Sequence, residues 1–193
     1  MPHELTDPPA TVVAADGSAR GWSDGPQMGW PDGRCISYAF LGSTGSWFLC
    51  TEPGSQLLSK GTSSLHVELY AILMVLEHHP GEVQVLSDCL SAVNLMHGWQ
   101  EGKTNLVPGY RGHRMGWLRR EAKARGDALD VRWVRGHSGH QLNDGADALA
   151  CLASRPYPAL MSDHEVERHA RQIAAVHTSR GGRWRACLDI QSP

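Results

Sequence analysis

The chain has 193 residues, enough for one domain with its own core and a short appendage, and holds no apolar run of membrane-spanning length. A net charge of −2 excludes a histone-like polycation. The five cysteines, Cys35, Cys50, Cys89, Cys151 and Cys187, are widely spaced without a C-x-x-C pair, which argues against a disulfide framework or a cysteine zinc site and predicts small buried or half-buried thiols.

Residues 1–9 are polar with prolines and predict a loose tail; the start, Met1-Pro2-His3-Glu4, has no basic stretch leading into an apolar one, so the expected location is the cytoplasm. Ala10–Ala15 reads as a buried strand ending in a tight turn at Asp16-Gly17-Ser18, followed by a long Gly- and Pro-containing loop over 19–33. Cys35–Leu41 and Trp47–Thr51 predict a hairpin joined through Gly42–Gly45. Ser63 and Ser64 can cap a helix that runs to His78 with Leu65, Leu69, Ile72, Leu73 and Leu76 at helical spacing. Val83–Ser87 is a strand leading into Asp88, and Leu90–Trp99 a helix. An irregular basic loop over 102–112 precedes a basic helix, Met115–Arg125, stopped by Gly126. Leu129–Val134 alternates as a strand, with Leu129, Val131 and Trp133 expected on one face. A loop over 136–142 and a helix, Asn143–Ala153, close the domain at Pro156 and Pro158. This order predicts an α/β fold with a five-stranded mixed sheet, an antiparallel meander plus parallel strands, over residues 10–156. The remainder, 157–193, reads as a helical extension: Ser162–Glu165 fits a capping box, Val166, Ala170 and Ile173 form a narrow stripe, and the end, Arg180-Gly181-Gly182-Arg183-Trp184-Arg185, is a basic tail able to touch a nucleic-acid backbone.

Charge is unevenly spread. Residues 103–135 hold nine Lys/Arg against three acids, and residues 1–102 hold three Lys/Arg against eleven acids. One part suits a polyanion and the other a cation, a pairing that a nucleic acid with its metal would use. Asp16 and Asp88 follow strands, and parallel neighbours would bring both to one rim of a sheet. Glu68 and Asp147 lie near helix starts that could approach the same rim. Clustered carboxylates repel one another unless cations compensate, and oxygen-only clusters suit Mg²⁺ or Mn²⁺. Spacing alone does not unite the four, since any one Asp after a strand is by itself a turn former or a cap. His137, in the loop Arg135–His140 just before the helix of Asp147, could shuttle protons near neutrality.

Four segments in order resemble ribonuclease H type 1. VVAADGS is similar to that family's first strand ending in T-D-G-S, and SLHVELYAILMVLE to its helix carrying the second carboxylate. VQVLSDCLSAV is similar to its strand ending in the third, and WVRGHSGHQLNDGADALA to W-V-K-G-H-x-G-x-x-x-N-E-x-x-D-x-L-A, the most specific of the four. The resemblance, over residues 10–155, implies a ribonuclease H-like fold. It implies Asp16, Glu68, Asp88 and Asp147 as ligands of two Mg²⁺ ions, with Mn²⁺ able to substitute, and His137 as the loop histidine. Glu68 would hold one ion and meet the RNA 2′-hydroxyl. The implied reaction is hydrolysis of the RNA strand of an RNA–DNA hybrid to a 5′-phosphate and a 3′-hydroxyl, by a monomer with no membrane partner. Substrate contacts are expected at Gly17, Ser18, Ser64, Asn143, Arg111, Arg114 and Arg119.

The chain departs from the family pattern in places. Ser64 and Leu65 stand where asparagines are usual before the second carboxylate, and Leu90 stands where glutamine is frequent after the third. The loop over 19–33 lacks the common asparagine-glycine-proline pattern. The basic protrusion is altered, though Lys103–Arg125 still supplies charge and Trp99 is expected to pack at its base. No separate N-terminal hybrid-binding domain is expected, so binding should be weak and salt-sensitive. The alternatives are a related nuclease acting on DNA or double-stranded RNA, a resolvase or integrase-like enzyme, a non-catalytic nucleic-acid-binding module, and a plain α/β domain whose basic face takes a protein partner.

Overall fold

A computed structural model describes residues 11–21, 34–53, 64–105, 113–154 and 161–178. Within them the strands are β1 (Thr11–Gly21), β2 (Arg34–Gly42), β3 (Trp47–Pro53), β4 (Val83–Ser87) and β5 (Leu129–Trp133). The helices are α1 (Ser64–His78), α2 (Leu90–Gln100), α3 (His113–Arg125), α4 (Gln141–Ser154) and α5 (Asp163–His177), with a short 3₁₀ turn at Gly126–Ala128. The sheet order is β3-β2-β1-β4-β5. β1 pairs antiparallel with β2, and β2 with β3, whereas β4 lies parallel to both β1 and β5. This is the mixed five-stranded sheet of a ribonuclease H-like fold.

One expectation is corrected. β1 does not turn at Asp16-Gly17-Ser18 but runs on to Gly21. β2 is long enough to keep pairing, from Val13↔Gly42 through Asp16↔Ala39 to Gly21↔Arg34, and a continuous antiparallel partner holds the strand straight where local residues favour a turn. Trp133 shares the face of Leu129 and Val131, in unbroken register with β4, but at the end of β5 it is 49% exposed. Residues 106–112, Ser63 and the basic tail from Arg180 to Arg185 lie outside the described residues.

Alternation along the strands sends side chains to two cores. Val13, Ala15, Ile36, Tyr38 and Phe40 face α1, α2 and α3. Ala14, Ala39, Leu41, Trp47 and Leu86 face α4, and the same core takes in Ala170 and Ala174 of α5. α1 is buried without a break from His66 to Leu76, since the sheet lies beneath it and helices flank it. Its sequence is correspondingly apolar nearly all round.

The end of α1 is closed from a distance. Four carbonyls at a helix end lack intrahelical partners. Arg125, at the end of α3, donates through Nη2 to the carbonyl of Leu76 at 2.7 Å and through Nη1 to that of His79 at 2.6 Å, while its Nε donates to Glu121 at 3.1 Å. This guanidinium is buried structure and not part of a polyanion surface. Charge-assisted hydrogen bonds of this kind are worth about 1.5–3 kcal/mol each in net stability. Replacing Arg125 with Ala should therefore lower unfolding free energy by about 3 kcal/mol in urea denaturation, equally with and without divalent cation.

Candidate active site

Sheet register brings the first two acids together. The parallel pairing of β1 and β4 runs from Thr11↔Val83 to Ala14↔Leu86. Two residues further on, in the same register, come Asp16 and Asp88. Asp16 shares the Ala14 face of β1, toward α4, and its neighbours Ala15 and Gly17 face α1. Gly17 is what lets α1 in. A Cβ on Gly17 would stand 2.6 Å from the Val67 carbonyl carbon and 2.8 Å from the Glu68 nitrogen. No other residue leaves room for helix backbone against strand backbone at that point. Glu68 is thereby set beside Asp16, from the opposite face of the sheet.

Ligand oxygens of Asp16, Glu68 and Asp88 all lie within 4.8 Å of one another. Asp16 and Glu68 are buried. Burial pushes the Asp16 carboxyl up to about 7, with the charges of Asp88 and then Asp147 adding to it. Burial pushes Glu68 up to about 9, with Asp16 and Asp88 adding. The Gly17 amide donates to both carboxyls and offsets part of the rise. Glu68 Oε2 is sealed from solvent with no hydrogen-bond partner. An orphaned carboxylate oxygen among repelling acids is the donor set of a hard divalent cation, which would supply the missing positive charge.

Asp147 stands just outside this close trio, on α4, and its charge reaches both Asp16 and Glu68. Its Oδ2 lies 3.8 Å from His137 Nδ1, and its Oδ1 takes a weak contact from Cys151 Sγ at 3.6 Å. His137 has φ of +51°, a left-handed backbone uncommon outside glycine, and its side chain is 82% exposed. Asn143 is buried, and its Nδ2 donates a long hydrogen bond to Asp88 Oδ2 at 3.4 Å. The Trp133 indole N–H donates to the Asp88 carbonyl at 2.9 Å, which fixes the backbone at the end of β4. Gly136 passes so close that a Cβ there would lie 2.5 Å from Asp88 Oδ2. Sequence reasoning missed the packing roles of Gly17 and Gly136, because a glycine beside a motif carries no sign of what it lies against.

The comparisons with known proteins agree with this geometry. The family model described as RNase H matches residues 10–155. The chain belongs to the ribonuclease H family. A ribonuclease H of Lachnoclostridium phytofermentans is 30% identical over 155 residues, covering 74% of this chain and 90% of that protein. A ribonuclease HI of Caulobacter vibrioides is 29% identical over 150 residues, 74% of this chain and 91% of its own. A ribonuclease H of Anaeromyxobacter sp. (strain K) is 37% identical over 105 residues, 46% of this chain. The chain spans about half of that relative's length, 52%.

Within this ribonuclease H framework, the expected substrate residues divide. Gly17 and Ser18 lie half-buried in β1, and Ser64 is exposed as the first residue of α1. Arg119 is half-buried on α3, and Arg111 lies outside the described residues. Arg114 is engaged within the protein: Nη1 donates to Glu52 Oε1 at 3.0 Å, and the guanidinium lies 5.7 Å from the Tyr70 ring centre. The Tyr38 hydroxyl donates to the same Glu52 oxygen. Trp99 is buried with its indole N–H on the Asn105 carbonyl at 2.9 Å, which pins the start of the basic loop as expected. Among the described residues Cys50, Cys89 and Cys151 are half-buried. No helix among them is long and apolar enough to cross a membrane.

The raised acids link stability to pH. A carboxyl whose folded value lies above its ordinary 4.5 stabilises fully below that value and loses the contribution as pH rises toward about 9. The melting temperature in EDTA should therefore fall as pH rises across this window, and Glu68→Gln should flatten the fall. The same variant should abolish the upward shift that a divalent cation gives the wild type. Gly136→Ala should displace the Asp88 carboxylate, and isothermal titration should show divalent-cation affinity reduced about tenfold or more.

Proposed function

We propose that this protein is an endonuclease that hydrolyses the RNA strand of RNA–DNA hybrids, leaving a 5′-phosphate and a 3′-hydroxyl. The observation that carries the reading is the buried, mutually repelling trio of Asp16, Glu68 and Asp88 within a ribonuclease H domain. In this reading the trio and Asp147 hold two Mg²⁺ ions, for which Mn²⁺ can substitute. Such ions supply Lewis acidity to a phosphodiester and a water of lowered pKa. The protein's own groups do the rest. Asp16, grouped closely with Glu68 and Asp88, would be shared by both ions. Glu68 holds one and is assigned the RNA 2′-hydroxyl, the group that separates RNA from DNA. Asp88 and Asp147 complete the ligand set, and Asn143 holds Asp88 in orientation.

His137 is assigned the proton traffic. Its exposed imbalance of a polar ring on a strained backbone suits a group that swings between Asp147 and solvent. Gly17, Ser18, Ser64, Asn143, Arg111 and Arg119 are assigned to the hybrid. Arg114 is assigned there too, with its charge shared with Glu52. The protein is read as a cytoplasmic monomer.

The deciding experiment uses four labelled duplexes of one sequence: RNA–DNA hybrid, double-stranded RNA, double-stranded DNA, and DNA with one embedded ribonucleotide. Each is incubated with Mg²⁺, with Mn²⁺ and with EDTA, beside Asp88→Asn. The expected result is metal-dependent internal cutting of the hybrid's RNA strand, lowered about a thousandfold or more in the variant, as several kcal/mol of transition-state stabilisation implies. Cutting of either homoduplex instead of the hybrid would reassign the substrate, and metal-independent cutting would overturn the mechanism.

A further inference from the structure

α5 lies beyond the segment matched by the ribonuclease H family, residues 10–155, yet it packs on the helix that carries Asn143 and Asp147. Its start is built in: Ser162 and Glu165 form a capping box, with the Ser162 amide donating to Glu165 at 2.9 Å. Val166, Ala170 and Ala174 are buried, and Ile173 packs against the second core. Its end is gripped as well. His177 Nδ1–H donates to the carbonyl of Gln141, the first residue of α4, at 3.0 Å. Gly145 is the point of closest approach. A Cβ on it would stand 2.8 Å from His177 Cβ and would run into Leu41 of β2.

Helical geometry gives this contact a direction. Gln141 and Gly145 are four apart and share one stripe of α4, as do Asn143 and Asp147. The two stripes are offset by two residues, about 200° around the helix axis. α5 therefore presses on the back of α4 while the front presents Asn143 to Asp88 and Asp147 to the acid cluster. The Asn143–Asp88 bond is already long, so a small retreat of α4 would break it.

We propose that α5 is a working part of the site, with His177 a positioning residue that holds the first turns of α4 against the carboxylate cluster. The inference rests on the reading that this cluster binds a divalent cation. It adds to the ribonuclease H domain an element that the family segment does not contain.

The test uses the full chain and two readouts. One is the Mg²⁺ concentration at the midpoint of the thermal shift, measured without nucleic acid. The other is kcat and KM on the RNA–DNA hybrid. His177→Ala should raise the Mg²⁺ midpoint about fivefold, less than the tenfold or more typical of losing a direct partner of a ligand. It should also lower kcat more than it raises KM. His177→Asn, whose amide N–H can meet the same carbonyl, should restore both. Val176→Ala, on a neighbouring side chain that is 75% exposed, should change neither.

A melting temperature lowered equally with and without Mg²⁺, at an unchanged midpoint and kcat, would mean that α5 only adds packing and would overturn the proposal. If the alanine variant releases α5 altogether, seen as lost helicity by circular dichroism, the midpoint must rise further. An unchanged midpoint with α5 released overturns the proposal equally. A wild type that binds Mg²⁺ but leaves the hybrid intact would sink the proposed activity and leave the positioning role to stand on the metal midpoint.

Discussion

The contact between Gly17 of β1 and the Val67–Glu68 backbone of α1 is the constraint on which the site depends. It brings a helix backbone onto a strand backbone with no side chain between them. Everything nearby follows from that approach. Glu68 is forced into a buried position beside Asp16, where burial and mutual repulsion disfavour charging both. The Gly17 amide, aimed at both carboxyls, is the fixed positive dipole that the backbone itself supplies there. Any side chain at residue 17 would lift α1 from the sheet and separate the acids.

The site is assembled from both faces of one sheet. Glu68 comes over the rim from the α1 side, and Asp147 approaches from the α4 side. Asp16 and Asp88 stand between them where the parallel pairing of β1 and β4 stops. A cluster made this way carries an electrostatic cost, which a bound divalent cation would offset. That cost is tolerable because the cores on either side are continuous and apolar, with α1 buried along most of its length. Among the described residues, Gly17, Gly136 and Gly145 each bring bare backbone against Glu68, Asp88 and His177 respectively.

The basic segment is less of a cationic surface than its charge count implies. Arg125 is consumed in closing α1, Arg114 is shared with Glu52, Arg132 pairs with Asp130, and Lys103 pairs with Glu101. The last two pairs are exposed and weakly held, so their charges remain largely available to a polyanion. Arg125 is not available at any ionic strength. Charge counting along a chain cannot separate these cases, because a guanidinium capping a distant helix and one facing solvent read alike.

The sequence by itself determined the order and type of the elements, since hydrophobic period and chain punctuation are local properties. Helices α1 and α3 and strand β4 are legible in this way, as is the capping box at Ser162. It also carried the four acids and the histidine through motif resemblance, though not through spacing. Only the tertiary structure decided how they meet. β1 runs through the turn that its Asp-Gly-Ser suggests because β2 pairs with it across the whole segment, and that partner is many residues away. Trp133 is exposed although Leu129 and Val131 on the same face are buried, a difference that alternation does not reveal. Asn143 turns to Asp88, and His177 to α4, through contacts 55 and 36 residues apart. Local patterns fix what each segment becomes. Which backbone leaves room for which side chain is settled only when distant segments pack.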